Sequence, residues 1–175
     1  MIADKRSEIL SSCKGFTLVE LILILVIAGI LAVVALPRMF DRNTFDTRAF
    51  GDEVKAMLRY AQKMAIAQNR HVFVNFNGNS VALCYDAACA MPVHSPSNQK
   101  VSAVCGNDAT WMCIAIPSKV AIAPANTSFY FNALGRPFKA IDNDPASTFV
   151  RLNFEMTGGD LTRTITVEPE TGYVY

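Results

Sequence analysis

The chain has 175 residues, room for one ordinary domain and hardly for two. Hydrophobic residues make up 51% and charged residues only 18%, which excludes a disordered or solvating chain. Sixteen Lys and Arg against fifteen Asp and Glu leave a formal net charge of +1, so bulk charge does not point to nucleic acid.

The apolar excess is concentrated near the start. Leu21–Leu36 carries no charge, and counting back to Phe16 gives 21 residues interrupted only by Thr17 and Glu20. As a helix at ~1.5 Å per residue, that run covers roughly 30 Å, enough to span a hydrocarbon core. Ahead of it Met1–Gly15 is polar and mixed in charge; behind it come Pro37, Arg38, Asp41 and Arg42. A secretory signal would place its cleavage site after the apolar run. Here the processing-like junction, Lys14-Gly15-Phe16-Thr17-Leu18-Val19-Glu20, precedes it. Glu20 is a carboxylate at the head of an apolar helix, a placement that costs ~2.5–3.5 kcal/mol at a bilayer centre and less near the interface. Pro37 predicts a kink or local melting, with helical periodicity resuming beyond it.

The Gly-Phe-Thr-Leu-Val-Glu string, the apolar helix behind it and Pro37 together resemble the type IV pilin superfamily. The resemblance implies that a prepilin peptidase cuts after Gly15 and methylates the new amine of Phe16. It also implies that Glu20 docks subunits by pairing with the Phe16 amine of a neighbour; a boundary charge resting among headgroups is the alternative. The expected partners are other major and minor pilins or pseudopilins, the peptidase, an inner-membrane assembly platform, and the membrane itself, crossed once.

From Phe45 to Arg70, Phe45, Ala49, Phe50, Val54, Met57, Leu58, Ala61, Met64 and Ala65 recur in steps of three and four. That stripe predicts an amphipathic helix with its apolar face on a sheet. After Asn69 the period becomes two. His71–Phe76 and Val81–Tyr85 flank Asn77-Gly78-Asn79, a hairpin signal. A loop-rich middle runs from Asp86 to Asp108. Strands are expected at Trp111–Ile116, Lys119–Ala123, Ser128–Phe131, Thr148–Met156, Arg163–Val167 and Tyr173–Tyr175, with turns at Ala133–Pro137 and Gly158-Gly159. The predicted fold class is α+β: a long N-terminal helix, transmembrane and then amphipathic, packed on a C-terminal antiparallel β domain. The boundaries are 1–15 for the leader, 16–36 for the membrane or filament-core helix, 37–70 for its continuation and 71–175 for the β domain.

Phe131-Asn-Ala-Leu-Gly-Arg-Pro137 and Thr164–Val174 resemble the C-terminal pattern of GspH/FimT-type minor pilins and pseudopilins, and more narrowly the minor pilins of mannose-sensitive haemagglutinin (MSHA) pili. Gly135 and Gly172 there suit backbone conformations that other residues resist. The resemblance implies a structural subunit that primes or caps a type IV pilus or a type II secretion pseudopilus, in the inner membrane with its C-terminal domain periplasmic, then in the filament. Two alternatives are a FimT-like DNA receptor and a membrane-anchored adhesin that never polymerises. DNA is disfavoured: Gly172 is followed by Tyr-Val-Tyr with no arginine, and from Phe129 onward four cations face six anions.

Removing the leader would discard Cys13 and leave Cys84, Cys89, Cys105 and Cys113. Four cysteines in the periplasm suggest two disulfides with three possible connectivities. Cys84–Cys89 and Cys105–Cys113 would each close a short loop, and the crossing pairings stay open. Free buried thiols are another possibility. A four-thiolate zinc site fits poorly, because the gaps of four and seven residues do not match two-residue knuckles. No nucleophile elbow, P-loop, dinucleotide fingerprint or His-Glu-x-x-His helix is present. His71 and His94 read as edge or surface residues, and Asp142/Asp144 and Glu168/Glu170 as solvated turn residues. The expectation is no enzyme, no cofactor and no metal.

Overall fold

The structure is a computed structural model that describes residues 15–39, 42–98 and 102–175, with side chains over 15–33, 43–98 and 102–175. The leader up to Lys14, Cys13 included, lies outside the described residues. The chain divides between Asp41 and Arg42 into two compact units.

The first unit holds α1, Leu18–Met39, whose sequence is apolar apart from Glu20 in its first turn and Arg38 in its last. Every described side chain along it is exposed. Among the described residues no helix is long and apolar enough to cross a membrane. Side chains in α1 are described only as far as Val33, whereas the apolar sequence continues to Leu36. The backbone stays helical through Pro37, and residues 40 and 41 lie outside the described residues.

The second unit begins with α2, Arg42–Gln68. Phe50, Val54, Met57, Leu58, Ala61 and Ala65 are buried, one stripe at helical spacing. The expected start of that stripe needs correction: Phe45 is 66% exposed and Ala49 is also exposed. Thr47 takes the buried position instead, its hydroxyl donating to the Asn43 carbonyl at 2.7 Å and the Gly158 carbonyl at 3.3 Å. A hydroxyl with two acceptors can be buried at little cost, and hydrophobic periodicity does not register it. The helix ends on Asn69 in the left-handed region, with the Arg70 N–H donating back to the Ala65 carbonyl at 3.2 Å.

Among the described residues eight strands follow: β1 (Val72–Asn77), β2 (Ser80–Cys84), β3 (Cys113–Ala115), β4 (Ala121–Ala123), β5 (Asn126–Phe131), β6 (Pro137–Lys139), β7 (Leu152–Gly158) and β8 (Leu161–Val167). They form two antiparallel sheets, one in the order β3-β2-β1-β5-β6 and one in the order β4-β7-β8. The β1–β2 turn is organised by the Asn77 side-chain oxygen, which accepts the Asn79 and Ser80 N–H groups at 3.0 and 2.7 Å. Both sheets cover the α2 stripe. Val72, Val74, Phe129 and Phe131 come from the larger sheet, Phe154, Met156, Ile165 and Val167 from the smaller. Phe76 of the first stacks on Phe154 of the second with ring centroids 4.2 Å apart.

Two differences from the sequence reading concern elements too short to show a period. The sequence places β6 at the end of a turn, yet it pairs with β5 through Phe131↔Pro137 and Phe129↔Lys139. It also predicts a strand at Tyr173–Tyr175; the structure has a single bridge there, Val167↔Val174, secured by reciprocal backbone bonds between Thr166 and Tyr175.

The C-terminal segment is locked to α2 by side chains. Gln62 donates to the carbonyls of Gly135 and Thr171 at 2.9 and 2.8 Å, and Arg59 donates to the Val174 carbonyl at 3.1 and 2.8 Å. Gly172 has φ +64° at this junction, and a Cβ there would run into the Gly135 carbonyl oxygen and the Gln62 amide. Both its backbone conformation and its lack of side chain are required. Gly172→Ala should therefore destabilise the protein by at least about 2 kcal/mol, read as a lowered thermal midpoint of the detergent-solubilised chain.

The acidic turn residues are not simply solvated. Asp142 accepts from the Lys139 N–H at 3.0 Å, the Thr148 N–H at 2.8 Å and the Thr148 hydroxyl at 2.7 Å, closing the loop between β6 and β7. Desolvation pushes its carboxyl up, but these hydrogen bonds and the Lys139 charge outweigh that and hold it below the ordinary value of 3.8. The loop stabilisation is thus fully present above pH 3.8 and is lost as pH falls through the lower folded-state value. Asp142→Ala, or acidification through that range, should speed amide exchange at Lys139 and Thr148 while leaving Val74 in β1 protected; equal acceleration at all three would refute the local role.

Candidate functional site

The head of α1 is built from Gly15, Phe16, Thr17 and Glu20. Gly15–Thr17 have no regular structure, and helix begins at Leu18. The Thr17 hydroxyl accepts the Glu20 N–H at 3.2 Å, and its carbonyl accepts the Leu21 N–H at 3.1 Å. Thr17 is therefore the N-cap and Glu20 the third helical residue, the Thr-x-x-Glu spacing of a capping box. The sequence reading missed this, although the signal was present: a hydroxyl residue followed three positions later by Glu, ahead of an apolar run. The cap fixes where the helix starts, so the Glu20 carboxylate lies one turn inside, at the positive end of the helix dipole.

Phe16 is 74% exposed, and among the described residues nothing beyond Gly15's own chain neighbours lies within 4 Å of where a Cβ on Gly15 would sit. Gly15–Thr17 are exposed and have no regular secondary structure. Pro37 lies in helical backbone two residues before the end of α1.

The cysteines lie elsewhere, in the second unit. The structure joins Cys84 to Cys89 and Cys105 to Cys113, with Cα–Cα separations of 5.1 and 5.8 Å. Cys84, Cys105 and Cys113 are buried with Ala82 against Cys89 and Trp111, a small second core on the outer face of β2. Trp111 donates its ring N–H to the Leu83 carbonyl at 2.9 Å. This accounts for the burial along β2: Val81 and Leu83 face the main core, and Ala82 and Cys84 lie under the disulfide-bonded segment.

His71 faces Asp144 at 3.6 Å and packs on Tyr130, while the His94 carbonyl accepts the Tyr60 hydroxyl at 3.2 Å. Asp144 also accepts from the Asn132 amide at 3.3 and 3.2 Å. Glu168 pairs with Arg151 and accepts the Tyr175 hydroxyl; Glu170 pairs with Arg136. Among the described residues no group of three or more His, Cys, Asp and Glu could hold a metal ion.

A family profile described as "Prokaryotic N-terminal methylation motif" matches residues 10–36. Over 75 residues the chain is 37% identical to the type IV narrow pilus major component PilA5 of Thermus thermophilus, a match that covers 39% of this chain and 65% of that protein. The chain thus spans just under two thirds of that relative's length. Crystal structures of the Pseudomonas aeruginosa PAO1 type IV minor pilin FimU in two space groups superpose with a TM-score of 0.49 and 14% identity. They cover 73% and 77% of this chain, and 90% and 87% of theirs. The methylation motif thus lies on the Gly15–Glu20 junction and the apolar helix behind it, and the chain is similar to a type IV pilin over part of its length.

Proposed function

We propose that the chain is a minor pilin or pseudopilin: a structural, non-enzymatic subunit that primes or caps assembly of a type IV pilus, MSHA-like, or of a type II secretion pseudopilus. It is made with a leader that a prepilin peptidase removes after Gly15, and it is then methylated on Phe16. Before assembly it is held once through the inner membrane by the Phe16–Leu36 run, with its C-terminal domain in the periplasm. It is then extracted into the filament by the assembly platform. Pro37 provides the point at which the helix bends or loosens.

The observation that carries this reading is α1 itself. Its described side chains are exposed on every face although they are apolar, and it follows directly on a capped, accessible Gly15–Phe16 junction. A helix apolar all round requires a lipid or protein environment outside its own chain. The minor role rests on the likeness of Phe131–Pro137 and Thr164–Val174 to GspH/FimT-type subunits. In the structure those two segments meet at the Gly135–Gly172 junction.

Intact-mass analysis of the membrane-extracted protein tests the core of the proposal. The expected species lacks Met1–Gly15 and carries one added methyl group; a retained leader overturns the assignment. Glu20→Ala should leave processing and methylation intact while cutting incorporation into filaments by about tenfold or more, the consequence of losing roughly 1.4 kcal/mol of docking. Thr17→Ala leaves the charge in place but weakens the first turn by about 1 kcal/mol, so its effect on incorporation should be smaller.

A further inference from the structure

The two disulfides of the second unit share one small core but differ in what covers them. Cys105 and Cys113 are 1% and 2% exposed, so both ends of that bond are shut in. Cys84, at the end of β2, is fully buried as well. Cys89 is the exception: it is only partly buried and packs against the same cluster. Of the four bonded cysteines, Cys89 alone is reached by solvent in the closed structure.

The backbone around each bond differs in the same sense. Cys113 begins β3 and is paired with Ala82 of β2. Trp111 beside it is fixed by its ring N–H bond to the Leu83 carbonyl. Exposing the Cys105–Cys113 bond therefore requires this part of the sheet to open. Cys89 lies instead in a loop tied within itself. Its N–H donates to the Asp86 carbonyl at 3.2 Å, and the Asp86 carboxylate accepts the Ala90 and Met91 N–H groups at 3.0 and 2.7 Å. Those two bonds hold the Asp86 carboxyl below its ordinary value of 3.8, so the turn keeps its shape at neutral pH. Cys89 has φ +60°, a left-handed conformation that residues other than glycine resist. Opening its bond lets that residue relax and disturbs no strand.

We propose that Cys84–Cys89 is a thiol–disulfide exchange site, attacked at the Cys89 sulfur by a dithiol, and that Cys105–Cys113 is a permanent bond. One thiolate of the dithiol forms a bond to the Cys89 sulfur. The Cys84–Cys89 bond breaks, and Cys84 leaves with the electron pair and takes up a proton. The second thiolate of the dithiol then attacks its own partner in the mixed disulfide, and Cys89 is released and protonated in turn. Two electrons and two protons have then passed to the protein from the dithiol, which is left as a disulfide.

The consequence is local. In the opened form Cys84 stays buried among Ala82, Cys105 and Cys113, so Cys89 is the reactive member of the pair. β3 remains paired with β2 and tethered through Cys105–Cys113. Asp86 acts as a positioning residue, since its turn keeps Cys89 close to Cys84 and so favours reclosure. The site goes beyond the filament role and is independent of it.

The test is timed reduction of the oxidised full chain in detergent by dithiothreitol, with free thiols blocked beforehand by iodoacetamide. Samples are quenched in acid, unfolded, alkylated with N-ethylmaleimide and mapped by mass spectrometry. Label should reach Cys84 and Cys89 at least about tenfold faster than Cys105 and Cys113, whose bond waits on local opening. Glutathione, a monothiol, should leave its trapped mixed disulfide on Cys89 and not on Cys84. In a glutathione redox buffer, Asp86→Ala should shift Cys84–Cys89 about fivefold toward the reduced form and leave Cys105–Cys113 unmoved. With only the first bond open, the Val81 and Ile114 amides should stay protected from exchange. Reduced thioredoxin, run in parallel, separates the two sources of a dithiol. Opening by both reagents admits a protein partner, and opening by dithiothreitol alone restricts the site to small dithiols. Equal rates at the two bonds, earlier reduction of Cys105–Cys113, a mixed disulfide on Cys84, or loss of protection at Val81 and Ile114 would each overturn the assignment. None of these readouts involves assembly, so a failure here leaves the filament reading untouched, and a retained leader leaves this site untouched.

Discussion

One apolar stripe on α2 has to be covered by two separate sheets, and most of the second unit follows from that. The stripe from Phe50 to Ala65 is wider than either sheet alone could cover, and β1, β7 and β8 all contact the helix. The sheets are not hydrogen-bonded to each other as one layer. What joins them is the aromatic contact of Phe76 and Phe129 with Phe154, and the helix that spans both. At about 25 cal/mol per Å² of apolar surface, each large side chain buried in that seam contributes roughly 1.5–3 kcal/mol. The helix is thus the organising element, the surface on which both sheets bury their apolar faces.

That arrangement leaves the chain's end to be secured by polar contacts. The last residues make a single bridge to β8, too little pairing to hold a terminus by backbone alone. Arg59 and Gln62 supply the rest from the flank of α2, binding three carbonyls of two segments far apart in sequence. Gly135 and Gly172 let those segments approach one another closely enough for one amide to reach both.

What could be read from the sequence divides along physical lines. The helix at Arg42–Gln68, the β1–β2 hairpin and the antiparallel β domain are legible because period and turn chemistry are local signals. Spacing places Phe45 in the buried stripe because it cannot distinguish the first turn of a stripe from one that runs past its sheet. Thr47 escapes the same reading because its burial depends on the carbonyl of Gly158, which is 111 residues away. β6 is lost for a related reason: three residues beginning with proline carry no period, and only their pairing with β5 makes them a strand. At the candidate site, the residue types at Gly15, Phe16 and Glu20 are conspicuous, while the Thr17 cap that positions Glu20 is not. Periodicity searches pass over a hydroxyl flanked by Phe and Leu.

The cap also bears on why a single carboxylate can direct the proposed assembly. Moving an apolar helix from lipid tails into a bundle of similar helices exchanges one apolar environment for another, so the hydrophobic effect hardly distinguishes them. The discriminating interaction must therefore be polar, and it must be absent or weak in the bilayer. A carboxylate near the helix head meets that condition: it is unfavourable in lipid, and a low-dielectric surrounding strengthens its attraction to an amine. For that attraction to select one register, the carboxylate has to sit at a fixed height on the helix. The bond from the Glu20 N–H to the Thr17 hydroxyl sets that height by defining where the first turn begins. In the proposed processing, the sequence around Gly15 thus has two separable tasks, exposing the bond before Phe16 and fixing the helix origin after it, and Thr17 stands between them.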